Sequence, residues 1–444
     1  MLFLQIIIGI CFIALVIVLF FEKVDYLYYS MVLVFIGAFI SSIFLPEARE
    51  LDFYILTIDW EIVFFLIGLF LIVEILKEEM VFEEISKLII DKYHDSPRKM
   101  FYVFCIITTL MASFIAAISI VLMFIPLIII ACRKLDLNPT PYLLGISVCI
   151  NLAATFSPFG SAQNVLIAFE FELNFVWFFI NILPYFIITF IITILLLDFF
   201  LLNKDVKKFK ERQKQCEEDD DCDIHIKHEN INLQPVKKNL IVLVVFIVLL
   251  ILIPQFYVAA LLGAIIFVLV NPVKDKEGNK HISISFYLKK VDYKLIFFFM
   301  CLFIFVGLLE LNGTILIFEK ILENLSLENI LLLAIIVLIT TSVLSGFLDN
   351  TPVVIIFIPI IKLLILLPEV HATLLLIAFI IGINLGGNFL PQGSAADLVI
   401  LDLSKDEGIK DITYMKMFKV GGLFALLHIA IGILYLMLFY FFII

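Results

Sequence analysis

Two carboxylates, Asp349 and Asp397, lie in apolar stretches of the second half of the chain, each among amide and hydroxyl side chains. Asp349 falls within Ser345-Gly-Phe-Leu-Asp349-Asn350-Thr351-Pro352, and Asp397 follows Asn384-Leu-Gly-Gly-Asn-Phe-Leu-Pro-Gln-Gly-Ser-Ala395. An acidic group at such depth is costly without a partner, which makes both candidates for holding a coupling cation or proton, with Asn350 and Asn388 beside them. For Asp349, capping the helix that follows is the plainer alternative.

The segment containing Asn388 has a counterpart displaced by 384 − 151 = 233 positions: Asn151-Leu-Ala-Ala-Thr-Phe-Ser-Pro-Phe-Gly-Ser-Ala162. Proline removes a backbone donor and glycine relaxes the backbone, so both segments are expected to unwind a helix and free carbonyls and amides. Freed groups are tolerated in lipid only where protein or a water-filled cavity satisfies them. Unwound carbonyls suit a cation, and half-helix N-termini suit an anion, a pairing found in transporters with broken helices. The candidate substrate-facing residues are Ser113, Ser119, Asn151, Thr155, Ser157, Gly160, Ser161 and Asn164 in the first half, and Asn350, Thr351, Asn388, Gly393 and Ser394 in the second. A kink bonded only by Ser and Thr is the alternative. The same offset sets Ala116 opposite Asp349 and Asn164 opposite Asp397, so the acidic groups come from one half.

The elements that must position these residues repeat at the same interval. The offset aligns Asp59-Trp60 with Asp292-Tyr293 and Phe124-Ile-Pro126 with Phe357-Ile-Pro359; from Asn151 to Ile167, eight of seventeen positions are identical to their partners. The chain reads as two repeats, 1–202 and 237–444, joined by an acidic linker, 203–236. Helices are expected at 1–21, 27–45 and 60–77, matched by 239–254, 257–272 and 295–311. A helical hairpin follows at 99–132 and 328–366, an interrupted helix at 141–172 and 372–403, and a final helix at 174–202 and 419–443. The fold class is an all-α polytopic membrane protein, since 63% of residues are hydrophobic and mean hydropathy is +1.16. The stretch from Leu2 to Phe21 lacks the basic start and small-residue cleavage site of a signal peptide and reads as the first transmembrane helix.

The net charge of −11 comes partly from the linker and gives no sign of nucleic-acid binding; the expected partners are a small anionic solute or inorganic ion and the lipid bilayer, with a homodimer left open. No cofactor or resident metal is expected, only Na⁺ or H⁺ as coupling ion. The seven cysteines suggest no disulfide framework, and Cys216, Cys222, His225 and His228 have metal-ligand chemistry but not the spacing of a zinc site. Glu74, Glu310 and Lys362 read as interface residues. Basic residues concentrate in 77–99, the linker, 274–294 and 405–419, whereas 46–58 carries only Arg49 and 169–174 none; the former loops are assigned to the cytoplasm. Arg98-Lys99 and Arg133-Lys134 bracket the run Met100 to Cys132, so this hairpin is expected to enter and leave on the cytoplasmic side. Five crossings per half then invert the second repeat and place both termini outside, in the cell membrane. Two full crossings per hairpin would preserve the same parity.

Together these segments resemble the ion transporter superfamily, in the branch holding arsenite permeases, citrate-type permeases and NhaD-like sodium/proton antiporters. The resemblance is carried by Phe347-Leu-Asp349-Asn350-Thr351-Pro352, by Leu385-Gly-Gly-Asn388 with Gly393-Ser-Ala395, and by the first-half copies. It implies two inverted five-helix repeats, each with a re-entrant hairpin and a broken transmembrane helix, working by alternating access. It also implies that Ser113 to Ser119, Asn151 to Asn164, Asp349 to Thr351 and Asn388 to Asp397 enclose substrate and coupling ion. Ala116-Ala117, Ala153-Ala154 and Gly160-Ser-Ala-Gln-Asn164 depart from the arsenite-type pattern and turn the expectation away from arsenite. The leading expectation is ion-coupled transport of a small anion, oxyanion or carboxylate. Sodium/proton antiport and an uncoupled anion channel are the alternatives. No hydrolase or phosphate-loop motif suggests an enzyme.

Overall fold

The computed structural model describes residues 2–18, 25–115, 117–203, 205–209, 211, 232–274, 280–314, 329–347, 350–366 and 370–443. In the first half the helices are α1 (Leu2–Val18), α2 (Tyr26–Phe44), α3 (Leu51–Thr57), α4 (Trp60–Glu78), α5 (Val81–Tyr93), α6 (Pro97–Ala112), α7 (Ala117–Lys134), α8 (Thr140–Ala153), α9 (Ala162–Glu170), α10 (Phe175–Asn181) and α11 (Leu183–Leu197). In the second they are α12 (Leu233–Leu252), α13 (Phe256–Val270), α14 (Ile284–Leu288), α15 (Tyr293–Leu311), α16 (Ile330–Phe347), α17 (Asn350–Ile365), α18 (Ala372–Gly386), α19 (Ala395–Asp406) and α20 (Tyr414–Ile443). One small antiparallel pair, β1 (Val273–Lys274) with β2 (Lys280–His281), is the only strand structure among the described residues.

The interval of 233 residues recurs at several helix starts. α4 and α15 share both ends in this register (293 − 60 and 311 − 78), and α6 and α9 share their first residues with α16 and α19. The cause is local: Asp59 and Asp292 are both N-caps, Asp59 accepting from the Glu61 and Ile62 amides and Asp292 from the Lys294 amide. Among the described residues seven helices are long and apolar enough to cross a bilayer, including α2, α7, α15, α16 and α20. Exposed rings such as Phe35, Phe39 and Phe442 are at home in such a setting. The molecule is a multi-span membrane protein.

Of the expected boundaries that differ, two bear most on the fold. The segment 77–99, read as a loop, contains α5, whose buried Val81, Phe82 and Ile89 share a face while Glu84 and Lys87 pair at 3.0 Å; its charges masked a 3.6-residue apolar period. The expected final helix 174–202 is broken at Ile182, because Pro184 can start a helix but not continue one, and it ends in a π-helical turn, Asp198–Leu202. The cysteine and histidine cluster of the linker lies outside the described residues.

The chain forms two compact units, and each draws on both sequence halves. One comprises Met1–Glu79, Asn239–Glu328 and Ile355–Val370. Within it α4 packs on α13 through Gly68, where an added Cβ would lie 2.8 Å from the Ala260 carbonyl carbon. Asn239 and Asn271 exchange side-chain hydrogen bonds in its interior, and Tyr287 donates to the Asn271 carbonyl at 2.9 Å. The Glu74 carboxylate pairs with Lys77 at 2.6 Å.

The other unit comprises Met80–Lys238, Asn329–Val354 and His371–Ile444. Its tightest helix pair is α16 against α18, made close by small residues: a Cβ on Gly386 would meet the Ser342 carbonyl oxygen at 2.5 Å, and one on Gly382 would overlap the Thr341 hydroxyl. Arg98 and Tyr102 at the base of the first hairpin both donate to Asp198, each at 3.0 Å, tying α6 to the end of α11. Arg133 at the end of α7 pairs with Glu407 just after α19 at 2.7 Å.

Candidate substrate and coupling-ion site

α8 stops at Ala153 and α18 at Gly386, and the chain then turns in the same way in both halves. Thr155 N donates to the Leu152 carbonyl, Phe156 N to Ala153 and Gly160 N to Ser157; Asn388, Phe389 and Gly393 repeat these bonds to Leu385, Gly386 and Leu390. Pro158 and Pro391 lie inside the turns, and Ser161 and Ser394 are the N-cap residues of α9 and α19. The expected unwinding is present at both cassettes. Gly393 is required by close approach, since a Cβ there would sit 2.8 Å from the Ser345 carbonyl oxygen.

The two turns are cross-linked by a reciprocal network. Asn151, on α8, donates to Asp397 Oδ2 at 2.9 Å and to Asn388 Oδ1 at 3.0 Å, and accepts from Ser394 Oγ at 2.8 Å. Asn384, on α18, donates to Asn164 Oδ1 at 2.7 Å and accepts from Ser161 Oγ at 3.1 Å. Each asparagine therefore holds the serine and the residue three further on in the opposite half. Ser147, one turn before Asn151, adds a hydrogen bond of 2.5 Å to Asp397 Oδ1.

Asp397 is 4% exposed, and its carboxylate is held by one hydroxyl and one amide, with no basic partner among the described residues. Burying an unpaired charge costs several kcal/mol even after relaxation, so this position favours binding a cation or a proton. Asn388 is also buried, and its Nδ2 has no acceptor among the described residues. An unmet buried donor costs about 1–3 kcal/mol, so this amide is available to a ligand oxygen.

The hairpins close on the same network. Ser157 Oγ donates to the carbonyl of Ser113, at the tip between α6 and α7. At the second tip, Ser345 donates to Asn350 Oδ1 and to the Ile383 carbonyl, and Gln163 Nε2 donates to Thr351 Oγ1 at 2.9 Å. The Thr155 hydroxyl bonds only the Leu152 carbonyl near the end of α8, Gly160 packs over the carbonyls of Ala153 and Ala154, and the half-buried Ser119 side chain has no hydrogen bond to a described residue. Asp349, the other expected ion ligand, lies outside the described residues. Lys362 is in the part of α17 that belongs to the other unit. Ser147, Gln163, Ser345 and Asn384 join the network without having been singled out as site residues. Gln163 lay within the stretch Asn151 to Asn164, Ser345 opened the segment around Asp349 and Asn384 had Asn151 as its offset partner, whereas Ser147 carried no such signal.

Duplicated broken helices, tips folded against them and a buried carboxylate in a nearly all-helical membrane fold define a membrane transporter rather than an enzyme. The citrate transporter family model matches residues 15–366 and again 257–444, and the chain belongs to that family. Among curated relatives, an uncharacterized transporter of Mycobacterium tuberculosis is 26% identical over 394 residues, covering 86% of this chain and 87% of the relative. An uncharacterized transporter of Methanocaldococcus jannaschii is 23% identical over 389 residues, covering 86% and 91%. A shorter match, 27% identical over 159 residues, is to a transporter called arsB in Dictyostelium discoideum, covering 36% of this chain and 28% of that one.

Proposed function

We propose that this protein is an ion-coupled secondary transporter of a small anion, oxyanion or carboxylate, of which citrate is the type suggested by its family. Transport proceeds by alternating access across the cell membrane, with the linker in the cytoplasm, both termini outside and the second repeat inverted. The observation that carries the reading is Asp397, a buried carboxylate with two neutral donors and no basic partner among the described residues. Na⁺ or H⁺ bound there neutralises the charge. Asn388 Nδ2, which has no acceptor among the described residues, then offers a donor to the solute, and Asp349 is the second candidate for the ion.

Coupling means that the loaded ion changes the energy of the solute-bound state, which requires the ion and solute sites to share groups. Asn151 provides that sharing, because its amide bonds Asp397 and Asn388 together. The same lack of a basic group at Asp397 favours a second reading, sodium/proton antiport, in which both ions compete for the carboxylate. Proteoliposomes loaded with Na⁺ or pH gradients and offered labelled citrate, other carboxylates and oxyanions separate these readings. Asp397→Asn is expected to fold and to lose gradient-driven accumulation by at least about tenfold, since about 1.4 kcal/mol of coupling corresponds to that factor. Undiminished accumulation by the variant would remove Asp397 from the coupling site. Solute flux in the wild type that never exceeds equilibration would indicate an anion channel.

A further inference from the structure

The two turns share a backbone hydrogen-bond pattern but differ in what lies against their carbonyls. In the first half, Asn164 Nδ2 donates to the Ala154 carbonyl at 2.7 Å and to the Ser157 carbonyl at 2.9 Å. Its Oδ1 is held by Asn384, and the residue is fully buried. Both amide protons are thus committed to two backbone oxygens of the unwound segment, which fixes the orientation of the amide. In the second half the equivalent oxygens belong to Gly387 and Leu390. The residue at the Asn164 position is Asp397, which as a carboxylate has no proton to give, and no described donor is bonded to the Gly387 carbonyl.

Converging carbonyls of an unwound helix repel one another and call for positive charge between them, which is why such segments coordinate cations. A primary amide placed there presents its two partially positive hydrogens to the same two oxygens while adding no net charge. We propose that the Asn164 amide stands permanently in the place of a cation, so that the first turn takes up no coupling ion and cation binding is confined to the second. This rests on the coupled-transport reading and specifies it: the Asn164/Asp397 difference sets how many ions the protein binds. The first half keeps a fixed internal partner for its carbonyls. The second exchanges one with solution.

The experiment is ion-linked unfolding of the full-length detergent-purified protein, with choline replacing Na⁺ at constant ionic strength, at about pH 8, well above the ordinary carboxylate range. The dependence of the unfolding midpoint on ln[Na⁺] reads the number of ions bound. Asn164→Asp removes the tethered donor and leaves a carboxylate facing two carbonyls, and its slope is expected to exceed that of the wild type by one ion. That is a roughly twofold slope if the wild type binds one Na⁺, and a new slope if it binds none. If Asn164→Asp cannot be recovered folded in any salt, Asn164→Gly, which bares the carbonyls without adding charge, decides by the same slope. A slope equal to wild type in the variant that is measured overturns the proposal. The readout does not involve transport, so failure of gradient-driven uptake in the wild type would sink the coupled-transport reading while leaving this result to be judged separately.

Discussion

Among single residues, the asparagines at equivalent positions of α8 and α18 do the same work toward different partners. Asn151 holds a carboxylate and Asn384 an amide, which turns one amino-acid difference into a difference of charge between two similarly built turns. Ser147 supplies the second of the two donors to Asp397. Ser147→Ala is expected to lower stability by about 1–3 kcal/mol, because hydrogen bonds to charged groups are the stronger ones and the carboxylate cannot move to water. Thermal unfolding in detergent measures it, with Ser147→Thr, which keeps the hydroxyl, as the comparison. An unchanged midpoint in the alanine variant would mean that Asp397 is protonated or otherwise satisfied. Positions such as Asn388, Ser394 and Asp397 were legible in the sequence because proline and glycine beside them force the helix open. Ser147 was not, since a lone serine within a helix looks the same whether it bonds its own backbone or a partner across the fold.

Helices and turns are held at their spacing by the absence of side chains as much as by their presence. α16 and α18 approach so closely that Gly386 has no room for a methyl group, the nearest atoms being the Ser342 carbonyl oxygen and the Ser345 Cβ. Gly386→Ala is expected to destabilise by about 1–3 kcal/mol, as overpacking does, and to disturb Ser345, which holds the tip residue Asn350. Gly9→Ala in α1, where a Cβ meets nothing within 4 Å, is the control and should be neutral or slightly stabilising. Parallel melting curves of the two variants test the contrast, and equal midpoints would count against tight α16–α18 packing. Most helices were legible because long apolar runs ended by Pro, Asp or basic residues leave little choice. α5 was not, because it is short, half-polar and buried on one side only. The break before α11 was missed for a related reason, as apolar character continues across Ile182 although the backbone does not.

For the whole molecule, the charge pattern predicts that both ends of the first hairpin lie in the cytoplasm. The ion pair between Arg133 and Glu407 places the 405–419 segment beside one of those ends. Single cysteines introduced as Lys99→Cys and Arg133→Cys in a cysteine-free background are expected to react with a membrane-impermeant maleimide from the cytoplasmic side only. Labelling of one of them from outside would show that the run crosses the membrane an odd number of times. The two sequence halves were legible as copies. The way each compact unit takes helices from both was not, because a repeat fixes the order of elements and says nothing of which copy they pack against. That exchange bears on how the molecule could have diversified. In a pair of identical half-length chains, the asparagine of each would meet the same residue in the other, two amides or two carboxylates, and any change in one would be imposed on both. Joining the copies in one chain frees the two positions to differ, and at Asn164 and Asp397 that freedom sets an amide opposite a carboxylate.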